Sequence, residues 1–272
     1  MSKIERENFS EYDITSEEFQ EKLENKRGRI LWEEPARLVK EMTEEDLAKG
    51  PEDSVGRAPA EEIERQCVLR YATKEDFDGL KAVDMDRWRL RAKEYNSEDN
   101  KRKKVWEPRN EDELKRYLSE DSKASHLVLA VDGQIAGYIA FGKNAGDDEK
   151  YKDYIDDTTV RVYTLSVLEK FQKNGFGAAL LEHGILEAEK NFGAEKIFLN
   201  TQAKNEGSMK LYTAPKKGFE FKEVKREQDT KRDWMKWNKK KKTWEERKNY
   251  RVSLMLDIEK WKAKKNKEKI KN

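Results

Sequence analysis

This chain of 272 residues has one cysteine, two histidines and no long apolar run, and their scarcity excludes several kinds of site. Its single cysteine, Cys67, cannot form an internal disulfide. That cysteine and the two histidines, His126 and His183, lack the spacing of metal ligands, so we predict no metal site. No apolar run approaches the ~18 residues of a membrane-spanning helix, and residues 1–11 are too polar and acidic for a secretory signal. We therefore expect a cytoplasmic protein with no membrane partner.

Two familiar phosphate-binding motifs are also absent. The Gly-Lys-Ser/Thr end of a P-loop does not occur, and the third glycine of a Rossmann fingerprint is replaced by Leu180. Residues 165–181 (LSVLEKFQKNGFGAALL) nevertheless predict a strand, a loop with Gly175 and Gly177, and a helix. Glycine lets a loop turn several N–H groups toward one anion, and a helix N-terminus adds unpaired N–H groups and a positive dipole end. This segment therefore predicts a phosphate or pyrophosphate site.

The loop Gln172–Ala178 (QKNGFGA) resembles the Q/R-x-x-G-x-G/A loop of the GNAT N-acetyltransferases, which holds the pyrophosphate of acetyl-CoA. Three further segments resemble family motifs in the family's order. Residues 69–76 (LRYATKED) resemble the opening strand, residues 205–212 (NEGSMKLY) the N-x-x-A/S-x-x-L-Y helix, and residues 218–221 (GFEF) the G-F strand. The resemblance covers about residues 67–258. It implies an α/β (α+β) fold with a mixed, mostly antiparallel twisted sheet flanked by helices.

Local patterns are consistent with that fold. Asp132-Gly133 between two apolar runs favours a type I′ hairpin. Thr159–Val167 is the predicted strand before the phosphate loop. Alternating apolar residues predict a last strand at Val252, Leu254, Leu256 and Ile258, and Gly218-Phe219 is expected to open the strand before it.

The resemblance also implies roles for particular residues. The backbone groups of Leu165 and Val167 would hold the pantetheine, and the Leu165 N–H would polarise the thioester carbonyl. The backbone N–H groups of the phosphate loop would bind the pyrophosphate, namely those of Gln172, Lys173, Asn174, Gly175, Phe176, Gly177 and Ala178. Asn205 and Ser208 would contact coenzyme A. Tyr212 would protonate the coenzyme A thiolate.

Two features depart from the family pattern. The segment between Tyr212 and Gly218 is two residues longer than usual, and Pro215 is expected to end the helix early and displace the tyrosine. Arg161 stands where many relatives carry a glutamate base. The proton acceptor is therefore left open among Asp156, Asp157 and a water ordered by Tyr163 or Thr164.

The acceptor is predicted to be a primary amine, because the resemblance implies N-acetyl transfer in a ternary complex. Small-molecule amines, including aminoglycosides and polyamines, and protein amines are equally open. Insertions at Lys93–Arg109 and Lys143–Asp157 are expected to shape the acceptor pocket.

Charge divides the chain into regions. The formal charge is −8 over residues 1–66, −1 over 67–224 and +11 over 225–272. We expect residues 1–66 to be an acidic extension that packs on the catalytic domain, 67–258, which contains a basic arm at 225–251, and 259–272 to be a lysine-rich tail. The arm combines Trp234, Trp237 and Trp244 with the run Lys239–Lys242.

The arm suggests an alternative function. Basic residues among tryptophans suit RNA, so the chain could be a non-catalytic module that binds RNA or a ribosome. We favour an arm that packs on the domain, because lysine-rich surfaces are most often merely solvated, and we do not favour a nucleic-acid partner. The sequence does not fix the oligomeric state.

Overall fold

A computed structural model describes residues 29–39, 62–95, 100–102, 124–143, 151–214, 219–228, 234–238 and 243–271. The strands are β1 Ile30–Val39, β2 Glu62–Tyr71, β3 Asn100–Arg102, β4 Ser125–Val131, β5 Gln134–Lys143, β6 Thr159–Val167, β7 Lys196–Gln202, β8 Lys222–Gln228, β9 Trp234–Asn238, β10 Thr243–Arg247 and β11 Tyr250–Asp257. The helices are α1 Phe77–Tyr95, α2 Phe176–Phe192, α3 Glu206–Thr213 and α4 Ile258–Lys271.

Eight strands form one sheet in the order β1-β2-β4-β5-β6-β7-β11-β8. Every neighbouring pair is antiparallel except β6 and β7, which are parallel. Helix α2 covers one face of this sheet, where Leu181, Ile185 and Ala188 join the larger core cluster. Helix α1 covers the other face through Leu80 and Val83. We call these the α2 face and the α1 face; the mixed, mostly antiparallel sheet with helices on both sides is confirmed.

The predicted hairpin between β4 and β5 is also confirmed. Asp132 and Gly133 both have left-handed backbones, with φ of 47° and 80°. Those angles are what a type I′ turn requires, and they match the twist of the two strands. The turn brings Leu129 opposite Gly137, and the two strands lie at the centre of the sheet.

The N-terminal extension contributes one of the two edge strands of the eight-stranded sheet. Strand β1 pairs along the length of β2, and Leu31 and Trp32 pack against the larger core cluster. Arg29 also lies 3.4 Å from a carboxylate oxygen of Glu187 in α2. Because β2 begins at Glu62, the boundary expected between residues 66 and 67 falls inside a core strand rather than between two units.

Two predicted strand limits at the C-terminal end are corrected. Strand β8 begins at Lys222, while Phe219 lies before it, buried and stacked on Trp261 with ring centroids 5.8 Å apart. Strand β11 ends at Asp257, whose Oδ1 accepts the Lys260 backbone N–H at 3.0 Å and so caps a helix. Ile258 is therefore the first residue of α4, and the lysine-rich tail is helical.

The basic arm contains a β-hairpin. Strands β9 and β10 pair antiparallel, with Trp237 opposite Trp244, and β3 joins the other edge of β9 in a separate three-stranded sheet. The side chains of the hairpin and the segment Lys239–Lys242 lie outside the described residues. Nothing among the helices that the structure describes is both long and apolar enough to span a membrane.

Candidate active site

A gap opens in the sheet between β6 and β7. The two strands pair only where Thr159–Val162 lies beside Lys196–Leu199. Beyond that point β6 continues to Val167 and β7 to Gln202 with no ladder between them. One side of β6 therefore presents its backbone to the gap.

The backbone groups of Leu165 and Val167 are the ones that face this gap. Leu168 donates its N–H to the carbonyl of Ala136 at 2.8 Å, and the register of β5 and β6 continues from that pair. In an antiparallel ladder, successive residues alternate between bonding the neighbouring strand and pointing away from it. Leu165 and Val167 thus point away from β5 toward the gap, although the Val167 carbonyl already accepts the side-chain amide of Gln172 at 3.0 Å.

A β-bulge lies immediately before Leu165. Thr164 pairs with Ala140 and Val162 with Phe141, so Tyr163 is an extra residue with no partner on β5. The bulge reverses the side-chain alternation at this point. Tyr163 packs toward the α1 face, while Val162 and Leu165 pack against the cluster of the α2 face.

The loop before α2 concentrates backbone donors. Lys173 and Gly175 have left-handed backbones, with φ of 67° and 81°, and α2 begins at Phe176. In the described part of the chain, the amides of Lys173, Gly175, Phe176 and Gly177 form no backbone hydrogen bond. Left-handed residues next to a helix N-terminus create a concave set of N–H groups that suits an anion.

Both ends of the predicted donor set need correction. The Gln172 N–H donates to Glu169 at 3.1 Å and the Ala178 N–H donates to Gly175 at 2.9 Å. These two amides are already used to close turns of the chain, so the donors that face an anion lie between them. The side-chain amide of Asn174 lies within 3.3 Å of the Phe171 and Gln172 carbonyls, which fixes the loop.

A cavity of about 810 Å³ joins the gap to the loop. It brings together the predicted site residues with the exception of Asn174, namely Leu165, Val167, Gln172, Lys173, Gly175, Phe176, Gly177, Ala178, Asn205, Ser208 and Tyr212. A side chain at Gly177 would point into open space, since its Cβ would meet only Leu211, at 3.7 Å. A large side chain at that position would therefore extend into the cavity that Gly177 lines.

Comparison with known proteins agrees with this geometry. The sequence model of the acetyltransferase (GNAT) family matches residues 84–219. The chain belongs to the GNAT acetyltransferase family. That range contains β6, the phosphate loop, α2, β7 and α3, which together line the cavity.

The individual relatives of this GNAT chain share 30% or less of their sequence with it. An N-alpha-acetyltransferase of Sulfurisphaera tokodaii is 30% identical over 112 residues, which are 41% of this chain and 62% of that protein. An N-acetyltransferase structure from Staphylococcus aureus is 18% identical, with a TM-score of 0.50 over 71% of this chain and 98% of that one. A GNAT family acetyltransferase from Elizabethkingia anophelis, solved with acetyl-CoA bound, is 17% identical, with a TM-score of 0.43 over 70% of this chain and 97% of that one.

Tyr212 lies in the cavity wall of this GNAT domain. Helix α3 ends at Thr213, and Tyr212 is buried against Phe221 with ring centroids 5.7 Å apart. The longer segment that follows does not remove the tyrosine from the cavity. Burial raises the pKa of Tyr212 to about 12, in spite of a hydrogen bond with Ser208 that lowers it. Asn205 caps the same helix, its Oδ1 accepting the Ser208 N–H at 3.2 Å.

Asp156 is a poor candidate for the proton acceptor. Its Oδ1 accepts the hydroxyls of Thr158 and Thr159 at 2.8 and 2.7 Å, and Lys196 donates to its Oδ2 at 2.5 Å. Burial raises the pKa of Asp156, but hydrogen bonds from Lys196 and both threonines outweigh burial and hold it well below its usual range. This carboxylate fixes the start of β6 and has little tendency to accept a proton.

Arg87 was missed by the sequence reasoning. It reaches the cavity from α1 together with Leu90, and its Nη2 lies 2.5 Å from Oδ1 of Asp84. Asp84, itself buried, also accepts the Trp88 indole N–H at 2.9 Å and the Tyr138 hydroxyl at 3.2 Å. The sequence did contain a signal for Arg87. Asp84 and Arg87 are three positions apart and continue the helix face of Leu80 and Val83, so a buried ion pair on that face could have been predicted.

Proposed function

We propose that this GNAT protein transfers the acetyl group of acetyl-CoA to a primary amine, on a small molecule or a protein, within a ternary complex. One observation carries the proposal: the gap beside Leu165 and Val167 opens into the same cavity as the exposed amides at the head of α2. The site thus matches a molecule that has an extended amide chain at one end and phosphates at the other. We also propose that the protein is cytoplasmic.

Different residues of the cavity would bind different parts of the coenzyme. The amides of Lys173, Gly175, Phe176 and Gly177 and the positive end of α2 would bind the pyrophosphate. The pantetheine would lie in the gap and bond the exposed edge of β6 as an added strand does. Asn205 and Ser208, which also line the cavity, would contact the coenzyme.

The chemistry requires one proton to leave the amine and one to reach the sulfur. The amine nitrogen attacks the thioester carbon, and the Leu165 N–H stabilises the oxyanion that forms. As the carbon–sulfur bond breaks, the Tyr212 hydroxyl protonates the thiolate. An ammonium of pKa ~10 must lose one proton before the attack, and the nitrogen loses a second proton as the amide forms. We propose that Asp157 or a water ordered by Tyr163 or Thr164 accepts these protons in turn and passes them to solvent.

We test the function with acetyl-CoA and a panel of amines. Calorimetry should show binding of acetyl-CoA, and a thiol reagent should detect coenzyme A released only when an amine is present. A wild-type protein that binds no acetyl-CoA at millimolar concentration would refute the proposal. Binding without thiol release from any amine would instead favour a non-catalytic GNAT module.

The RNA-binding role of the arm stays a prediction that we do not favour. Titration with single-stranded RNA at two salt concentrations tests it, because phosphate contacts make affinity fall steeply with salt. Tight, salt-sensitive binding would establish the alternative.

A further inference from the structure

Three cationic side chains converge on one buried ring outside the coenzyme cavity. Tyr151 is buried; the Arg161 guanidinium lies 5.4 Å from its ring centroid and the Lys225 ammonium 6.0 Å from it. Arg251 Nη1 is 3.4 Å from the Tyr151 hydroxyl. Arg161 also lies 5.5 Å from the ring of Tyr163. We call Arg161, Lys225 and Arg251 the cationic cluster.

The whole cluster lies on the α1 face of the sheet. Arg161 stands between Val160 and Val162, which belong to the core of the α2 face, so its own side chain points the other way. The same alternation places Arg251 on the α1 face, because Val252 and Leu254 lie in the core of the α2 face. Lys225 pairs with Ser253, the next residue of β11 on that face.

The acceptor amine should approach from this face. The donors for the coenzyme phosphates lie at the head of α2, so the coenzyme enters beside that helix. The attacking nitrogen must come to the thioester carbon from a side that the coenzyme does not fill. The α1 face, where the bulged residue Tyr163 lies next to Leu165, is that side.

The charges of the cluster favour an anion. Like charges this close repel one another, and aromatic faces offset that repulsion only in part. Glu227 lies 3.9 Å from the Lys225 ammonium and pairs with Arg251 across β8 and β11, so this carboxylate offsets part of the positive charge.

A buried donor on the same face points to the same chemistry. Asn200 Oδ1 accepts the Ser253 hydroxyl at 2.8 Å, while its buried Nδ2 has no hydrogen-bond acceptor in the described part of the chain. A donor buried without an acceptor is costly, and an incoming oxygen would satisfy it. Cations and an amide donor together suit a carboxylate.

We infer, on the basis of the proposed function, that the cationic cluster is an acceptor subsite for a carboxylate carried by the amine substrate. Leu165 and Arg161 pair with Ile139 and Gly142, which are three residues apart on β5, so the subsite lies about 10 Å along β6 from the thioester. An extended peptide advances about 3.4 Å per residue, which brings the side chain of its third or fourth residue to the cluster. The substrate class is a peptide N-terminus followed by acidic residues, and polycationic amines are disfavoured.

The test compares two peptides of equal shape, Ser-Gly-Glu-Glu and Ser-Gly-Gln-Gln, with spermidine as a polycation. Their dissociation constants are measured by calorimetry on the full chain with coenzyme A present, and kcat/KM is measured with acetyl-CoA. The acidic peptide should be preferred about tenfold at low salt, and the preference should shrink as salt rises, because two charges meet the cluster. Spermidine should be the poorest of the three ligands.

Variants assign that preference to the cluster. Arg161→Gln and Lys225→Gln should each reduce the acidic-peptide preference several-fold while the dissociation constant of acetyl-CoA stays unchanged. Arg161→Lys, which keeps the charge, should retain most of the preference if Arg161→Gln proves unstable. Lys222→Gln, at an exposed lysine of the same strand as Lys225, is the matched control and should retain the full preference.

Equal binding of the two peptides by the wild type, or a preference that survives in both glutamine variants, would overturn the inference. The two proposals fail separately. Loss of acetyl-CoA binding in the wild type would refute the transferase, whereas peptide calorimetry decides the subsite even when no acetyl group is transferred.

Discussion

Tyr212 is the residue that we propose as the proton donor to the coenzyme A thiolate. Burial raises its pKa to about 12, so the hydroxyl keeps its proton even at pH values where an exposed tyrosine would lose it. Its motif was recognisable in the sequence, but the burial that raises its pKa comes from Phe221 and the cavity wall.

Tyr212→Phe tests that role. Turnover should fall on the order of 10²-fold, with little change in the dissociation constant of acetyl-CoA, because only proton delivery is lost. Tyr250→Phe, at a half-buried tyrosine that does not line the cavity, is the control and should keep its activity. Unchanged turnover in Tyr212→Phe would show that solvent protonates the thiolate.

His126 makes the fold sensitive to acid. Burial lowers its pKa to about 4, although a backbone hydrogen bond at Ala124 raises it. Above pH ~6.5 the histidine is neutral in both states, and between pH ~6.5 and 4 only the unfolded chain takes up the proton. The free energy of unfolding should therefore fall as the pH drops through that window, by up to roughly 3 kcal/mol from this residue.

Urea unfolding at pH 7 and pH 4.5 checks this expectation. His126→Gln should reduce the difference between the two pH values. His183→Gln, at the half-buried histidine of α2, should reduce it less. An acid-induced loss that is the same in wild type and His126→Gln would show that other groups cause it.

At the scale of elements, the strand–loop–helix unit from β6 to α2 could be predicted from its own local sequence. Its glycines mark the loop, and its limits agree with the prediction for Thr159–Val167. Local pattern could not show which amides the chain uses for its own turns. That detail depends on the short helical turn at Glu169–Phe171, which takes the Gln172 amide.

Gly177→Val tests the loop. The fold should tolerate the change, because the space around the new Cβ is open, but the side chain would fill the cavity next to the donor amides. Acetyl-CoA affinity should fall at least tenfold, about 1.4 kcal/mol, with little change in melting temperature. Gly177→Ala is the control and should bind with much less loss. Undiminished binding by Gly177→Val would place the phosphates elsewhere.

At the scale of the molecule, the N-terminal extension is part of the sheet. Strand β1 covers the edge of β2, where an uncovered strand would expose unpaired backbone groups. Arg29 adds an ion pair to Glu187, which also accepts the hydroxyl of Tyr71 at 2.5 Å. We therefore expect the extension to stabilise the domain, although it lies outside the range that the GNAT family model matches.

Trp32→Ala and Ile30→Ala measure that contribution. Trp32 packs against the core, so its truncation should lower the free energy of unfolding by about 1–2 kcal/mol. Ile30 is 53% exposed, and its truncation should cost less than about 0.5 kcal/mol. Denaturant unfolding of the two variants compares them, and equal small losses would mean that the extension adds nothing to stability.

The sequence by itself determined the features that short segments encode. The Asp132-Gly133 turn and the stripe that includes Leu181 and Ile185 follow from local conformational preference and periodicity. So does the glycine loop before α2. Residues within one turn or one helix face carry all the information that these elements need.

Tertiary structure alone decided the features that depend on distant neighbours. The gap exists because β7 pairs with only the first half of β6. The Asp156 carboxylate has little tendency to accept a proton because Lys196, forty residues later in the chain, donates a hydrogen bond to it. Arg161, Lys225 and Arg251 form one cluster because three strands place them around Tyr151. Sheet register brings residues far apart in the chain into contact, and strands that no tight turn joins have no local signal that fixes which of them are neighbours.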